Sequence, residues 1–326
     1  MKIIITGGAG YIGSHVVLAA LARGYDVTVF DDLSTANREN INLKTKFIEG
    51  SINSKDDLSK LFTNGKYDAV IHLAASKASG ESMLNPKKYT YNNIIGSLNI
   101  LMSCIDNDIK YFIFSSSAAV YGNPRYDPID ELHPLKPSSY YGYTKLSTEN
   151  SLEWFSKIHC IKYASLRYFN AAGFDIDKRI TGKEKDTENL IPLIMEVAKG
   201  FKPFIPIYGN DYKTKDGTGI RDYVHVSDLA IAHISSLEYL IKYSKNLILN
   251  LGSEVGFSVL EIIERTKSIL KIDIPYKIEE RRVGDVAKII SSCAQAEEII
   301  KWKKKYSELD TLIKSTWQVY NKKNIV

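Results

Sequence analysis

The sequence predicts an α/β protein that combines a doubly wound parallel sheet with a smaller mixed α/β lobe. Three observations lead to this fold class. Short apolar runs alternate with amphipathic stretches of helical length, a glycine-rich turn follows the first run, and the alternation breaks down near residue 170. Alternating strands and helices indicate a parallel sheet with helices on both faces.

Six buried strands are predicted in the first half of the chain from its β-branched and aromatic runs. They are Lys2–Ile5, Asp26–Phe30, Lys46–Ile48, Ala69–Leu73, Tyr111–Ser115 and Tyr163–Arg167. Helical length and period predict helices at Ser14–Arg23, Ser54–Phe62, Tyr89–Asn107 and Ser139–His159.

The chain length of 326 residues favours two lobes, because a typical domain has about 100–200 residues. We expect the first lobe at residues 1–170 and the second at 171–326. Two strand-like segments of the second half, near 218–228 and 246–252, are expected to return to the first lobe.

Composition argues against several classes of protein. The 43 basic and 38 acidic side chains give a net charge of +5 without a long stretch of one sign, so nucleic-acid binding gains no support. The three cysteines are odd in number and lack metal-ligand spacing, which favours a reducing compartment and no metal. The start of the chain leaves no room for a signal peptide, and no apolar run approaches the ~20 residues of a membrane span. We therefore expect a cytoplasmic protein with no membrane partner.

The glycine-rich turn spans Thr6–Gly13 and joins the first strand to the first helix. Its glycines satisfy G-x-G-x-x-G spacing, which lets the backbone approach a pyrophosphate at the positive end of a helix. This context predicts a Rossmann-like dinucleotide site, with a purely structural tight turn as the alternative. The second strand is followed by Asp31, whose carboxylate suits the ribose hydroxyls of NAD and would repel the 2′-phosphate of NADP. A turn-capping role is the alternative for Asp31.

A catalytic pair is predicted where Tyr141 and Lys145 lie four residues apart at the start of a helix, and hence on one face. The pKa of a phenol is near ~10, and a nearby ammonium and nicotinamide cation favour the phenolate. Tyr141 is therefore a candidate general acid–base. Ser117 follows a strand at the edge where ligands bind in such sheets, and it can hydrogen-bond the reacting oxygen. A serine triplet there also suits a turn.

The chain resembles the extended short-chain dehydrogenase/reductase family and, within it, the UDP-glucose 4-epimerases over essentially its whole length. The matching stretches are Thr6–Ser14, Lys77–Ser82, Phe114–Gly122, Tyr141–Lys145, Leu166–Asn170, Tyr208–Tyr212, Asp216–Val226 and Arg281–Asp285. The resemblance implies inversion of C4 of a UDP-sugar through a 4-keto intermediate, with transient hydride transfer to bound NAD, in a homodimer.

The resemblance also implies the roles of individual residues. The catalytic residues would be Ser117, Tyr141 and Lys145. The NAD site would comprise Gly7, Gly10, Tyr11, Ile12, Asp31, Ile52, Leu73, Lys77, Asn93, Tyr141 and Lys145. The UDP-sugar site would comprise Lys77, Ser117, Tyr141, Phe169, Asn170, Asn189, Leu190, Arg221, Arg282 and Asp285. Arg221 and Arg282 can clamp a diphosphate, and Asp285 can accept from uridine ribose hydroxyls.

Several alternatives stay open at this level. The substrate could be a UDP-N-acetylhexosamine or UDP-glucuronate, because Ile289 stands where the family carries a residue of the sugar-pocket wall. A dehydratase is disfavoured, because those relatives carry Asp-Glu where this chain has Ser117 and Ala118. A noncatalytic NAD-binding protein would not need the Ser117, Tyr141 and Lys145 set. Two further departures are Ser51, in place of an acid at adenine, and the Ser291–Cys293 segment.

Overall fold

The computed structural model of the chain describes residues 1–63, 65–184, 188–282 and 285–322. The strands are β1 (Lys2–Thr6), β2 (Asp26–Asp31), β3 (Lys46–Glu49), β4 (Ala69–His72), β5 (Tyr111–Ser117), β6 (Lys162–Tyr168), β7 (Asn170–Ala172), β8 (Ile205–Tyr208), β9 (Ile220–His225), β10 (Leu247–Leu251), β11 (Gly256–Ser258), β12 (Tyr276–Glu279) and β13 (Lys288–Ile289). The helices are α1 (Tyr11–Ala22), α2 (Lys55–Thr63), α3 (Ser79–Leu84), α4 (Pro86–Tyr89), α5 (Gly96–Asp106), α6 (Tyr140–His159), α7 (Leu190–Ala198), α8 (Val226–Tyr243), α9 (Val259–Leu270), α10 (Ala294–Ile299) and α11 (Leu309–Tyr320).

The larger sheet contains seven parallel strands in the order β3-β2-β1-β4-β5-β6-β10. The predicted doubly wound α/β fold is therefore confirmed, and each of the six predicted strands is present with bounds shifted by no more than two residues. The strand order reverses between β1 and β4, and a crevice opens at such a point beyond the carboxyl ends of the strands. The glycine-rich turn leaves β1 at this crevice.

Helices cover both faces of this sheet. Ile3 and Ile5 of β1 pack in one core with residues of α1 and α8, whereas Ile4 packs in a second core with residues of α2 and α5. Strands buried on both faces read as continuous apolar runs, because neither alternating set of side chains meets water. This explains why Ile3-Ile4-Ile5 was a reliable strand signal.

The second half of the chain forms a small sheet and a third core. Strands β7, β9, β11 and β13 make the small sheet, and β8 pairs with β12. The two segments that were predicted to return to the first lobe join different sheets. β10 joins the larger sheet beside β6, but β9 pairs with β7, β11 and β13, and only the helix after β9 packs on the larger sheet. We retain residues 1–170 and 171–326 as proposed limits of the lobes, with α8 and β10 as returning elements.

Asp222 of β9 anchors two segments of the second half. Its buried carboxylate accepts hydrogen bonds from the backbone and hydroxyl of Ser253, from the backbone of Glu254, and from the backbone and hydroxyl of Ser291. Buried carboxylates are costly unless such donors surround them. Asp222 therefore fixes the segment after β10 and the segment after β13 against β9.

The segment predicted as one helix over Tyr89–Asn107 is divided in the structure. A π-helical stretch at Thr90–Ile95 separates α4 from α5. Widened π turns are frequent at functional sites, because they rotate one side chain relative to a regular helix. Here the stretch contains Asn93, whose amide nitrogen donates to the Ser76 carbonyl and whose amide oxygen accepts from the Ser76 backbone N–H.

Among the described residues, none of the helices combines the length and the apolar character needed to cross a bilayer.

Candidate active site at the carboxyl edge of the larger sheet

The glycine-rich turn has the geometry of a backbone cradle. Gly7 has a φ of +69°, and a Cβ built on it would lie 2.7 Å from the backbone nitrogen of Ala74. A Cβ built on Gly13 would lie 2.0 Å from the Gly7 carbonyl oxygen. Side chains are thus excluded at both positions, and α1 begins after Gly10 without a side-chain cap among the described residues. The exposed N–H groups and the helix dipole suit a pyrophosphate.

Asp31 ends β2 beside this turn. Its carboxylate accepts from the backbone N–H of Ala9 at 3.0 Å and of Leu33 at 2.9 Å. Burial raises the pKa of Asp31, whereas these backbone hydrogen bonds act to lower it. Each carboxylate oxygen retains a lone pair, so the group can still accept from ribose hydroxyls. The residues present therefore fit NAD.

Asn40 ties the glycine-rich turn to the second half of the chain. Its amide nitrogen donates to the carbonyls of Ala9 and Gly182, and its amide oxygen accepts from the backbone N–H of Gly182 at 2.9 Å. Two residues further on, the carboxylate of Glu184 lies 2.5 Å from the Lys77 ammonium. The segment 182–184 thus bridges the turn after β1 and the loop after β4, which together flank the crevice.

Tyr11 is a predicted cofactor residue whose side chain contacts the second half of the chain. Its hydroxyl donates to the Gly173 carbonyl, and its ring lies 5.2 Å from the ring of Phe174, centroid to centroid. Burial raises the pKa of Tyr11 well above its usual value. Tyr11 therefore joins the two halves of the chain through its side chain, and only its backbone at the start of α1 remains directed at the crevice.

The other predicted cofactor residues have mainly structural contacts. Asn93 donates to the hydroxyl of Thr144 as well as holding Ser76. Ile12 packs against the first core, and Ile52 is buried in the second core. Leu73 follows β4, and its backbone N–H donates a hydrogen bond to the Thr6 carbonyl. Ile52 and Leu73 follow β3 and β4 at the carboxyl edge, so their apolar surfaces are available to a cofactor lying there.

Tyr141 and Lys145 lie in the first turns of α6, as predicted, and face the end of β5. Burial raises the pKa of Tyr141, and a hydrogen bond with the Ser117 hydroxyl acts to lower it. Burial lowers the pKa of Lys145 to about 7, and the charge of Glu149 acts to raise it. In the protein alone, burial therefore opposes both the phenolate form of Tyr141 and the charged form of Lys145. The Lys145 ammonium donates to the Ser115 carbonyl at 2.7 Å and lies 5.8 Å from the centre of the Tyr141 ring.

The structure brings three of the predicted substrate residues together in the second half of the chain. Asp285 lies between two arginines, with 3.7 Å to the Arg221 guanidinium and 3.0 Å to the Arg282 guanidinium. The Arg282 guanidinium also lies over the ring of Tyr208, 4.5 Å from its centre. Two forked cations, an aromatic face and a carboxylate are groups whose chemistry suits a nucleoside diphosphate.

Four further predicted substrate residues follow β6 or lie at the start of α7. Phe169 packs with Val120 and Tyr121, and the Asn170 side chain donates to the Asp222 carbonyl at 2.8 Å. Asn189 precedes α7 and Leu190 begins it. Phe169 thus packs beside the segment after β5, and Asn170 is held against β9.

Several residues of this site were not predicted. Tyr168 donates to the Ser115 hydroxyl, and Glu149 pairs with Arg167 beneath Ser116. Glu149 continues the four-residue spacing of Tyr141 and Lys145, so the sequence contained a signal for it. No local pattern marks Asn40 or Glu184, because their partners Gly182 and Lys77 lie more than 100 residues away. Within the described ranges, no group of three or more His, Cys, Asp or Glu side chains could hold a metal ion.

Comparison with known proteins identifies the family. Residues 3–252 match the model of the NAD-dependent epimerase/dehydratase family. The chain belongs to this family. A UDP-glucose 4-epimerase of Lactobacillus helveticus is 42% identical over 98% of this chain and 96% of its own length. The cofactor of the chain is accordingly NAD, as the glycine-rich turn and Asp31 predicted.

Solved structures of family members share the fold closely. A UDP-glucose 4-epimerase from Brucella ovis, in complex with NAD, superposes with a TM-score of 0.94 at 38% identity and covers 98% of both chains. A UDP-Glc/GlcNAc 4-epimerase from Campylobacter jejuni superposes with a TM-score of 0.85 at 37% identity over 98% of both chains. Both relatives span the larger sheet and the second half, so the likeness covers both parts of the candidate site.

Replacement of Asp31 by Asn should weaken NAD binding by about 10–100-fold, because a charged acceptor at a ribose contributes roughly 1.5–3 kcal/mol. Isothermal titration of NAD into cofactor-stripped protein measures the effect. Asp32→Asn is the matched control, since Asp32 is exposed and its carboxylate contacts only its own turn at Ser34 among the described residues. Equal NAD affinity in the two variants would remove Asp31 from the cofactor site.

Proposed function

We propose that the chain is a UDP-glucose 4-epimerase, which interconverts UDP-glucose and UDP-galactose through a 4-keto intermediate. One observation carries the proposal. A half-buried tyrosine, a half-buried serine and a buried lysine face one another where β5 ends and α6 begins, and the second half of the chain adds an arginine cluster suited to a diphosphate. Full-length relatives at 42% identity that are named as UDP-glucose 4-epimerases support it.

The residues proposed to hold NAD are Gly7, Gly10, Tyr11, Ile12, Asp31, Ile52, Leu73, Lys77, Asn93, Tyr141 and Lys145. When bound there, NAD would supply the acceptor and donor of the hydride that C4 of the sugar loses and regains. Gly7 and Gly10 admit the pyrophosphate to the backbone, and Tyr11 contributes through the start of α1. Asp31 accepts from the adenosine ribose.

Tyr141 is the proposed general acid–base. Its phenolate takes the proton of the C4 hydroxyl and later returns a proton to the C4 oxygen. Burial holds the proton on Tyr141 in the protein alone, so the positive charge of Lys145 has to offset that effect in the assembled site. Ser117 hydrogen-bonds the same oxygen and thereby keeps it within reach of Tyr141.

The second half of the chain is proposed to bind the nucleotide of the substrate. Arg221 and Arg282 exchange part of their contact with Asp285 for the diphosphate, and Asp285 accepts from the uridine ribose. The proposed sugar-side residues are Lys77, Ser117, Tyr141, Phe169, Asn170, Asn189 and Leu190. Because the diphosphate carries most of the binding, the keto sugar is free to turn over and present its other face.

UDP-N-acetylglucosamine is the second candidate substrate, and UDP-glucuronate a third. The observation that favours the former is the likeness to a UDP-Glc/GlcNAc 4-epimerase. In this chain Ile289 is half-buried and packs beside Phe169 and Tyr121. A branched apolar side chain at the wall restricts the space for an acetamido group, so we favour the unsubstituted hexose.

A homodimer is proposed for the assembled enzyme. Neighbouring helical segments carry exposed apolar side chains that water does not favour, namely Tyr91, Ile95 and Met102 on one and Trp154 and Ile158 on the other. Such a surface is self-complementary in a two-fold pair. Light scattering should give twice the chain mass of 36.7 kDa, and Trp154→Glu with Ile158→Glu should halve it. A monomeric unaltered protein would contradict the proposal.

The proposed location is the cytoplasm. All three cysteines are free thiols, which suits a reducing compartment. Recovery of the native protein from an extracellular fraction would contradict this assignment.

Incubation with UDP-galactose should yield UDP-glucose without added reductant, because the hydride is returned to the same sugar. Parallel incubations with UDP-N-acetylglucosamine and UDP-glucuronate, separated by chromatography, rank the three substrates. We expect UDP-galactose to have the highest kcat/KM. Binding of NAD without conversion of any of the three sugars would overturn the enzymatic proposal.

Tyr141→Phe should reduce turnover by about 10²–10⁴-fold, the range for loss of a general acid–base. Affinity for UDP should change little, since the phenol does not reach the nucleotide. Tyr143→Phe is the matched control, because Tyr143 lies on the same helix with its ring exposed and stacked on Tyr140. Turnover of Tyr141→Phe equal to that of the control would exclude Tyr141 as the acid–base.

A further inference from the structure

The end of β5 and the first half of α6 are joined by three successive contacts. On the helix, Tyr141, Lys145 and Glu149 form a row with four-residue spacing, so they share one face. On the strand, the Ser115 carbonyl accepts from Lys145 and the Ser116 hydroxyl donates to Glu149, and hydrogen bonding with Ser117 acts to lower the pKa of Tyr141. The contact between Ser116 and Glu149 is the one that the proposed function leaves without a role.

Glu149 is held from below by a buried arginine. Arg167 of β6 donates to both carboxylate oxygens of Glu149, at 3.0 and 2.6 Å. The two side chains are 2% and 4% exposed. Arg167 also donates to the Tyr121 hydroxyl, which in turn donates to Asn250 of β10. Glu149 is therefore the point where a hydrogen-bonded network across β5, β6 and β10 reaches the catalytic helix.

Stability alone gives little reason to place a charged pair there. Desolvation offsets much of the attraction in a buried ion pair, and apolar replacements of similar volume are often equally stable. A carboxylate one helical turn from Lys145 nevertheless has an electrostatic effect that an apolar group lacks. The negative charge of Glu149 is thus explained by its effect on Lys145, whose pKa it acts to raise.

The groups around the Lys145 ammonium define its electrostatic environment. On α6 these are Tyr141 and Glu149, on β4 it is His72, and on β6 they are Arg167 and Tyr168. Burial, and then the charge of Lys145, lower the pKa of His72 to about 3, so His72 is neutral. Burial raises the pKa of Tyr168, so this phenol is neutral as well. Glu149 is the one anion of this group, with Arg167 behind it.

We infer that Glu149 is a positioning residue for the proposed epimerase reaction. It locks the end of β5 against α6 through Ser116, and its negative charge helps Lys145 to remain an ammonium beside Tyr141. The inference rests on the proposed function for its kinetic consequence, but its electrostatic part concerns the protein alone. Failure of the proposed function can therefore be distinguished from failure of the inference about Glu149.

The decisive variants are Glu149→Gln and the double variant Glu149→Gln with Arg167→Gln. Gln retains the shape and one acceptor but removes the negative charge, so the pKa values of Lys145 and Tyr141 should both fall. Removal of Arg167 as well deletes the opposing positive charge, so both values should return toward those of the unaltered protein. A purely structural role for Glu149 predicts no such reversal.

Two measurements report the effect on the NAD-bound protein. The first is a titration of Lys145 by NMR in protein labelled with ¹³C-lysine, with the signal assigned from a Lys145→Met variant. The second is the pH dependence of turnover with UDP-galactose. In Glu149→Gln we expect the Lys145 titration and both limbs of the pH profile to move to lower pH by about 0.5–1 unit, as for removal of one nearby charge that Arg167 already offsets in part. The double variant should recover at least half of this shift.

Asp310→Asn is the matched control for the loss of a carboxylate from an arginine fork. Asp310 of α11 holds Arg265 through two hydrogen bonds at 2.6 and 2.7 Å, away from the larger sheet. It should leave the Lys145 titration and the pH profile in place. Equal Lys145 titrations in the unaltered protein, Glu149→Gln and the double variant would overturn the inference.

Glu149→Asp covers the case in which Glu149→Gln does not fold. Asp keeps the charge and withdraws it from Ser116 by one methylene, so the pH profile should stay in place while kcat falls by about 10-fold or more, as for a small misplacement at a reacting centre. The KM for UDP-galactose should change little. Unaltered kcat in Glu149→Asp would contradict the positioning role. If the unaltered protein converts no UDP-sugar, the proposed function fails, and the NMR titration still decides whether Glu149 controls Lys145.

Discussion

The parallel pairing of β1 with both β2 and β4 is the constraint on which the structure depends. Neighbours on both sides bury β1 completely, and their connecting helices must leave in opposite directions. The backbone between β1 and α1 is therefore left at the bottom of a crevice. Gly7 and Gly13 are required there because a side chain at either position would meet backbone atoms. The same parallel arrangement gathers the ends of β2, β4 and β5 at one edge, which brings Asp31, Leu73 and Ser117 to the crevice.

The parts of the fold that could be predicted from the sequence are those set by local patterns. The six strands of the first half are apolar on both faces, and this made them visible as continuous runs. The glycine-rich turn and Asp31 follow from the sequence distance between them, and the catalytic pair follows from helical spacing. Each of these signals involves residues that are close in sequence or regular in period, so no tertiary information was needed.

The remaining features depend on contacts between distant segments. The Tyr11 side chain reaches Gly173 because the second half of the chain packs against α1, and nothing near Tyr11 in the sequence indicates this. The same holds for Asn40 with Gly182. The π-helical stretch at Thr90–Ile95 was missed because its composition suits a regular helix. The short strands β7, β8, β11, β12 and β13 were also obscured, since two to four residues on a partly exposed sheet leave no clear period.

Successive residues of a strand face opposite sides of the sheet. In β9, the neighbouring residues Arg221 and Asp222 therefore make contacts on opposite sides. Arg221 faces the proposed nucleotide site, whereas Asp222 grips Ser291 beyond β13. The Ile220 N–H donates a hydrogen bond to the Ala287 carbonyl, which holds the start of the segment 287–291 against β9. The backbone that carries Ile289 is thus clamped on both sides independently of its side chain. Substitution of Ile289, the residue proposed to shape the sugar pocket, therefore leaves these backbone anchors in place, so the proposed sugar preference can change during evolution while the strand pairing is kept.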